Sequence, residues 1–242
     1  MLGAARHQGF IPWDDDIDVG VPRSDYERLM ELLSKQHGDY VGESPKFHDG
    51  AIICAYGKLY HTGTTLIEDS RLKLKKGIYI DIFPLDGCGN TPEEGVKNLR
   101  KIAFLDNLLA ARACSVRKGR SFLKNAAAVA GKLLPINEEW LVCKIDKLCA
   151  KRDYDQYEYV GCLVSSYREK EIMPKSFYGK PTLYNFEGMQ VYGVENAESY
   201  LTYLYGDWRK LPPEEDRISL HQHIYLNLNE SYLEESDGAE LT

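Results

Sequence analysis

The chain has 242 residues, of which 43% are hydrophobic, and this is enough for one large domain with a packed core. Its formal net charge of −7 provides no basic field for a nucleic-acid backbone, so we expect no nucleic-acid polymer as a partner. The six cysteines form no CxxC pair, which argues against a zinc ribbon or a disulfide framework and favours reduced thiols in the cytoplasm.

The apolar and amino-terminal segments bear on membrane insertion and export. The most apolar segment, residues 126–134, is far shorter than the roughly 20 residues of a membrane span, and Gly131 and Lys132 interrupt it. The first residues lack the charged leader and apolar region of a signal peptide. We therefore expect a cytoplasmic protein without a transmembrane segment, and a peripheral association with a membrane stays open.

The first part of the chain, residues 1–90, is predicted to combine several strands with one helix. Pro22 fits the first turn of a helix whose apolar face continues until Gly38 ends it. β-Branched and aromatic side chains, followed by Pro84, predict that the last strand of this part is buried. The strand candidates are residues 14–21, 51–56, 58–60 and 77–84.

The second part, residues 91–242, is predicted to be mainly helical and to complete the same domain. Thr91 and Glu94 match a capping box around Pro92, which is a strong signal for a helix start. Apolar spacing and stop signals then predict helices at residues 91–116, 122–134, 138–151 and 197–205, a strand region at 186–194 and a last helix from about Ser219. The inward residues expected for the third helix are Trp140, Val142, Ile145 and Leu148. The acidic tail after Leu233 is expected to fray.

Four aspartates crowd into five positions at the start of the first predicted strand. If residues 14–21 are a strand, Asp14, Asp16 and Asp18 share one face and Asp15 lies on the other. Asp16 and Asp18 are then roughly 6.6 Å apart at the backbone, and at an effective dielectric of about 20 their charges repel by about 2.5 kcal/mol. Repulsion of this size beside apolar residues needs a compensating partner.

A divalent cation is one such partner, because magnesium prefers carboxylate oxygens and is commonly held by one or two of them together with substrate phosphates. Asp81, a charge among apolar residues of the predicted strand 77–84, is the candidate for a third carboxylate from a neighbouring strand. The plainer alternative is an acidic surface loop in contact with water. An EF-hand is rejected, because Val19 occupies the position of its glycine.

Several cations and aromatic residues near these acids are candidates for binding substrate. Arg6 and His7 lie just upstream, where a guanidinium clamps phosphate or pairs with an aspartate. Lys58, a lone charge in a predicted strand, contacts a phosphate or extends to solvent. Trp13 stacks on a base or a quaternary ammonium, or packs in the core, and we favour the core.

Two further positions invite a functional interpretation that the sequence supports only weakly. His221 and His223 form an H-x-H pattern, but no cysteine or histidine stands nearby at a matching spacing to complete a metal site. Asp86, which follows Pro84, is expected to lie in a turn and cap a loop.

Three segments of the sequence resemble the LicD family of phosphotransferases, which also includes the fukutin-type proteins. The first segment is GAARHQGFIPWDDDIDVGVPRSDYERL, the second is GIYIDIFPLDG, and the third is YLTYLYGDWRKLPPEEDR followed by His221. The resemblance covers nearly the whole chain in order, and its first motif is highly specific.

The resemblance implies an α+β fold with a nucleotidyltransferase-like mixed sheet and a helical second half. It places an Asp-x-Asp pair on Asp16 and Asp18 and a third acid on Asp81, as catalytic residues and ligands of Mg²⁺, with Mn²⁺ as an alternative. It also places His221 at a family position. The implied reaction transfers phosphocholine or a related phospho-alcohol from a CDP-linked donor to a hydroxyl of a surface glycan, such as teichoic acid, lipopolysaccharide or capsule.

The sequence departs from the family pattern at its front. Family members usually carry a strand and a Gly-Gly or Ser-Gly turn before this point, and Met1 falls inside the helix that follows that turn. Because backbone amides at a helix start bind anions, their absence is expected to weaken donor binding. Two alternatives therefore stand beside phosphocholine transfer: a nucleotidyltransferase that releases pyrophosphate, and a truncated, catalytically impaired binding module.

Overall fold

In the computed structural model, which describes residues 1–113, 121–133, 135–219, 221 and 223–234, the chain alternates short helices and strands around a central sheet. In chain order these elements are α1 (Leu2–Arg6), β1 (Asp18–Pro22), α2 (Arg23–Leu33), β2 (Tyr40–Glu43), β3 (Gly57–His61), β4 (Thr65–Glu68), β5 (Lys75–Lys76), β6 (Tyr79–Gly89), α3 (Pro92–Ala113), α4 (Phe122–Leu133), α5 (Glu138–Cys149), β7 (Tyr159–Gly161), β8 (Met173–Pro174), α6 (Lys175–Tyr178), β9 (Thr182–Phe186), β10 (Met189–Gly193), α7 (Ala197–Tyr205) and β11 (His223–Asn227).

The central sheet is mixed and is organised around the long strand β6. Strand β3 pairs with the start of β6 in antiparallel fashion, and β1 pairs with it in parallel. Strand β2 extends the sheet beyond β3, and β7 and β8 continue it from the far end of β6. Because β6 contacts both β1 and β3, side chains from three strands meet where those pairings overlap.

The predicted buried strand at residues 77–84 is confirmed as β6, which continues to Gly89. The strand predicted at residues 14–21 is wrong in its first half, because β1 begins only at Asp18. A turn precedes it, closed by the Asp14 amide donating to the carbonyl of Ile11 (2.9 Å), and residues 14–17 have no regular secondary structure. The strand predicted at residues 51–56 is wrong, because this segment has no regular secondary structure. Its apolar residues Ile52 and Ala55 are nevertheless buried.

The first three helices predicted after residue 90 are confirmed as α3, α4 and α5, and the ends expected for the first two, at residues 116 and 134, lie outside the described residues. The capping box is present in part: the Glu94 amide donates to Thr91 Oγ1 (3.3 Å), whereas the Glu94 carboxylate accepts from the amide of Asn90 (2.8 Å), one residue before the expected Thr91. Trp140 is 55% exposed, contrary to prediction, and the fully buried Leu141 takes its place in the core. The inward face of α5 therefore includes position 141 and leaves position 140 on the outward side.

The last part of the chain is less helical than expected. The helix predicted at residues 197–205 is confirmed as α7, and Gly206, with φ of 70°, ends it. The helix predicted from Ser219 is wrong, because His223–Asn227 instead pairs with β4 as strand β11. Long-range backbone pairing overrides local preference here. The tail predicted to fray lies largely outside the described residues.

A buried ion cluster joins the two predicted parts of the chain. Arg23, at the start of α2, donates to both carboxylate oxygens of Asp86 at 2.7 and 2.8 Å and to Asp146 of α5 at 2.7 Å. Asp86 is fully buried in β6, so its predicted position in a loop-capping turn is wrong. Burial lowers the pKa of Arg23, but the two carboxylates raise it further, so the guanidinium stays charged.

The main hydrophobic core also includes residues from both sides of residue 90. Leu85 and Cys88 of β6 belong to the same buried cluster as Leu141 and Ile145 of α5. The division of the chain at residue 90 stays a prediction. Within the described ranges, no helix has both the length and the apolar character needed to cross a membrane.

Candidate active site

Asp18 and Asp81 lie side by side on neighbouring strands. Strand β1 begins at Asp18, and in its parallel pairing with β6 the Cα of Asp18 is the partner of the Cα of Asp81. The amide of Asp81 donates to the carbonyl of Ile17 at 3.0 Å, which extends the contact to the residue before the strand. Two carboxylates that are distant in sequence therefore share one position in the sheet.

Lys58 approaches Asp81 from the opposite side of β6. Lys58 and Asp81 are cross-strand partners in the antiparallel β3–β6 pair, and Lys58 Nζ donates to Asp81 Oδ1 at 2.6 Å. Both side chains are largely buried. Burial raises the pKa of Asp81, and the ammonium of Lys58 opposes this shift without cancelling it. Asp81 is thus a carboxylate with an elevated proton affinity.

Asp18 is electrostatically strained by its neighbours. Its side chain is exposed at the surface, yet surrounding protein atoms desolvate the carboxyl group. This desolvation, followed by the charges of Asp16 and Asp81, raises the pKa of Asp18 to about 6. The repulsion inferred from the sequence is therefore present at this site, and a bound cation would relieve it.

His221 attaches the loop before β1 to the end of the chain. Its Nδ1 lies 2.8 Å from Asp15 Oδ1, and its Nε2 lies 3.5 Å from Asp16 Oδ2. Ser219 Oγ also donates to Asp15 at 2.9 Å. Burial lowers the pKa of His221, but hydrogen bonding to Asp15 and the charge of Asp16 raise it overall. Asp15 therefore anchors the loop, a role that sequence reasoning missed.

Arg6, His7 and Trp13 form a separate group around the start of the chain. Arg6 donates to the backbone carbonyl of Trp208 at 2.9 Å, and its Nε lies 3.4 Å from His7 Nδ1. The rings of His7 and Trp13 meet edge to face, and the guanidinium of Arg217 lies 5.4 Å from the Trp13 ring. Their predicted roles in substrate binding stay predictions.

A cavity of about 250 Å³ opens beside Lys58 and Asp81. Tyr56, Lys58 and Tyr60 line it from in and around β3, while Tyr79 and Asp81 line it from β6. The remaining walls are formed mainly by Glu43, Ala51, Ile52, Ile53, Cys54, Leu66, Glu68, Ser70, Leu74, Lys76, Gly77 and His221.

Sequence reasoning missed the tyrosines of this cavity, although a signal for them exists. Residues 56, 58 and 60 alternate along the chain, so a strand at this point presents all three on one face. Their convergence with Tyr79 depends on the pairing of Tyr60 with Tyr79, which the sequence does not specify.

The predicted metal ligands have the donor atoms that magnesium prefers, but their side chains are not arranged around a common point. Asp16, Asp18 and Asp81 offer the hard oxygen atoms that magnesium prefers, and the charges of Asp16 and Asp81 add to desolvation in raising the pKa of Asp18. Across the part of the chain that the structure describes, no three His, Cys, Asp or Glu side chains are arranged to hold a metal ion together. Asp81 is instead paired with Lys58.

Comparisons with known proteins agree with this geometry. The family model "LicD/FKTN/FKRP, nucleotidyltransferase domain" matches residues 1–104. The chain is 31% identical over 234 residues to the lipopolysaccharide cholinephosphotransferase LicD of Haemophilus influenzae, a match that spans 93% of this chain and 86% of that protein.

Shorter matches link the chain to two uncharacterised proteins. One, from Rickettsia prowazekii, is 52% identical over 61 residues (25% of this chain and 19% of that protein). The other, from Rickettsia typhi, is 48% identical over 33 residues (14% and 11%). No solved structure gives a significant match. The family match and the mixed sheet together confirm the predicted nucleotidyltransferase-like α+β fold. The chain therefore belongs to the LicD family of phosphotransferases.

Proposed function

We propose that this protein transfers phosphocholine from a CDP-linked donor to a hydroxyl of a cell-surface glycan, with lipopolysaccharide as the first acceptor to test. The observation that carries this proposal is the juxtaposition of Asp18 and Asp81 beside a cavity, through a strand pairing that the sequence motifs anticipate. The similarity to a lipopolysaccharide cholinephosphotransferase supports the choice of phosphocholine and of the acceptor.

The transfer requires one bond to form and one to break at phosphorus. The acceptor hydroxyl oxygen attacks the phosphorus of the phosphocholine group, and the bond from that phosphorus to the CMP oxygen breaks, with CMP keeping the electron pair. Asp81 receives the hydroxyl proton, a role that suits its raised pKa. Lys58, released from its contact with Asp81, stabilises the negative charge on the phosphate oxygens.

Magnesium, or manganese in its place, is the proposed cofactor. Asp16 and Asp18 would hold it. Asp81 would be a third ligand only as the alternative to its role as proton acceptor, with its contact to Lys58 open. A divalent ion held there would supply positive charge to the donor phosphates. The proposal is supported by the pairing of Asp18 with Asp81 across the sheet and by the charges of Asp16 and Asp81, which add to desolvation in raising the pKa of Asp18.

The decisive experiment measures CMP release and product formation from CDP-choline with purified lipopolysaccharide and magnesium. The Asp16→Asn variant is expected to lose at least a hundredfold in rate, because it removes a proposed ligand. Asp39→Asn, an exposed aspartate in the loop before β2, is the matched control and should retain full activity. Unchanged turnover in Asp16→Asn would overturn the metal assignment.

The same assay separates the competing functions and the acceptor classes. Release of pyrophosphate from CTP, without CMP formation from CDP-choline, would favour a nucleotidyltransferase. Binding of CDP-choline without turnover, in a protein that melts cooperatively, would favour a binding module. Parallel assays with teichoic acid and capsular polysaccharide identify the glycan that accepts the group.

A further inference from the structure

We propose that the cavity beside Asp81 is a quaternary-ammonium site that holds the choline head group of the donor. This assignment rests on the proposed function, since it places the reacting phosphate next to Lys58 and Asp81. It goes further by naming Tyr56, Tyr60 and Tyr79 as the residues that select choline over other phospho-alcohols.

The faces of the three tyrosine rings already serve as sites for positive charge. Lys58 Nζ lies 3.3 Å from the ring centroid of Tyr79 and 5.4 Å from that of Tyr56. Lys76 Nζ lies 5.6 Å from the ring centroid of Tyr60. These separations are within the range of about 6 Å over which an aromatic ring attracts a cation. Once Lys58 moves from Tyr79 to the donor phosphate, as the proposed mechanism requires, a trimethylammonium group in the cavity would meet the ring that Lys58 leaves.

The charges in the cavity wall favour a cationic ligand. The carboxylates of Glu43, Glu68 and Asp81 contribute three negative charges, against two positive charges from Lys58 and Lys76. Both lysines are paired with wall carboxylates: Lys58 with Asp81, and Lys76 with Glu43, each at 2.6 Å. When His221, which also lines the wall, is neutral, the formal excess of one negative charge favours a cation in the part of the cavity away from Lys58.

Glu68 strengthens the cation-binding character of one ring. The Tyr79 hydroxyl donates to Glu68 Oε1 at 2.7 Å, so the phenol is polarised towards its oxygen and its ring becomes more electron-rich. The same carboxylate lines the cavity and lies in reach of a bound cation. Aromatic faces with an adjacent carboxylate are the combination that recognises quaternary ammonium groups.

Size and position also fit the head group. A cavity of about 250 Å³ is smaller than the roughly 300–1,000 Å³ typical of sites for drug-sized ligands, so it suits a compact group. In phosphocholine a two-carbon link separates the ester oxygen from the nitrogen. A phosphate at Lys58 and Asp81 therefore places the trimethylammonium within the tyrosine-lined part of the cavity.

The first test measures binding without the reaction. Choline chloride is titrated into the protein while ligand-observed NMR or calorimetry reports binding, and the same titration is made with 3,3-dimethyl-1-butanol, in which carbon replaces the charged nitrogen. We expect choline to bind at least tenfold more tightly than this neutral analogue. Equal binding of the two, or displacement of choline by inorganic phosphate alone, would overturn the assignment.

The second test uses variants with matched controls. Tyr79→Leu removes the ring, while Tyr79→Phe keeps the ring and removes only its hydroxyl group. We expect Tyr79→Leu to lower kcat/KM about tenfold for CDP-choline and less than threefold for CDP-ribitol. Tyr79→Phe should change kcat/KM for CDP-choline less than threefold. Tyr56→Leu provides a second ring deletion if Tyr79→Leu fails to fold, as judged by circular dichroism.

The outcomes distinguish this assignment from the proposed function. If CDP-choline is turned over but ring deletions lower kcat/KM equally for every donor, the choline site is overturned and the function stands. If choline binds as predicted but no CDP-linked donor is turned over, the function is overturned and the cavity assignment stands.

Discussion

Asp81 and Asp86 stand five residues apart on the same strand, are both buried, and are both paired with a cation, yet they occupy very different environments. Asp86 is fully buried and receives two hydrogen bonds from Arg23, which also contacts Asp146. Asp81 receives one hydrogen bond from Lys58, lies next to Asp18 across the sheet, and faces a cavity.

The difference lies in how far each carboxylate is satisfied. Both oxygens of Asp86 are engaged by a planar guanidinium, which leaves little for a ligand to gain. Asp81 shares one oxygen with a flexible ammonium that can move to a phosphate. A fully satisfied buried carboxylate stabilises the fold, whereas a partly satisfied one beside a cavity is available for chemistry.

The largest expected effect on stability comes from Asp86→Asn. This change leaves the Arg23 guanidinium with one carboxylate in the core, and breaking a buried ion pair in this way costs about 3–5 kcal/mol. Urea denaturation measures the change in the free energy of unfolding, with Asp39→Asn as the exposed control. A loss below about 1 kcal/mol would show that Asp146, together with Glu27 at 3.5 Å, is sufficient to hold Arg23.

Asp81→Asn should lower transfer activity strongly and stability only slightly, in contrast to Asp86→Asn. We expect phosphocholine transfer to fall by about 10²–10⁴-fold, because the proposed proton acceptor is lost. The loss of stability should be smaller than for Asp86→Asn, because the cavity admits water to Lys58 and repulsion with Asp18 disappears. CMP release measures the change in activity, and urea denaturation of the same preparation measures the change in stability. Full activity in this variant would remove Asp81 from the mechanism.

The contrast between these two aspartates also marks what sequence can and cannot predict. A charged residue within an apolar strand indicates a buried carboxylate that has a partner. This signal, together with the spacing of Asp16 and Asp18, predicts that Asp81 lies beside them, and the structure pairs it with Asp18. Asp86 has the same local signal, but its partner Arg23 lies 63 residues away along the chain. Asp146, which also accepts a hydrogen bond from Arg23, lies 123 residues from Arg23. The sequence therefore predicts a buried strand position for Asp81 but places Asp86 wrongly in a turn, because the pairing with Arg23 has no local signal.

Helix starts and strand pairings differ in the same respect. The capping residues Thr91 and Glu94 lie within one turn of α3, so a short window of sequence contains the whole signal. Strand β11 is defined by its pairing with β4, more than 150 positions away, and local preference gave a helix there. The tyrosine-lined cavity likewise depends on the register of β3 against β6.

Glu171 offers a third buried carboxylate, which has no cationic partner among the described residues. Ser165 Oγ donates to it at 2.9 Å, but burial raises the pKa of Glu171 above its ordinary value of 4.5. A raised carboxyl pKa means that the folded state prefers the protonated form, so its ionisation lowers stability as the pH rises through and above 4.5.

The Glu171→Gln variant should therefore be more stable than the parent protein at pH 7. The gain should shrink as the pH falls and disappear below about 4, where the parent carboxyl group is protonated in both states. Thermal melting between pH 4 and 8, for both proteins, measures the difference. A gain that stays constant over this range would show that the substitution acts through packing and not through charge.

The smallest effect is expected at Asp14, which tests where the catalytic group of aspartates ends. Asp14 is an exposed residue, but nearby protein atoms partly desolvate its carboxyl group. This desolvation, followed by the charge of Asp16, raises the pKa of Asp14. Asp14→Asn removes a repulsion without removing a proposed ligand, so we expect the free energy of unfolding to change by less than about 0.5 kcal/mol. Transfer activity should change less than twofold, against at least a hundredfold for Asp16→Asn. A tenfold loss of activity in Asp14→Asn would instead place this residue in the metal site, and titration of magnesium dependence in the variant would show whether affinity for the ion accounts for the loss.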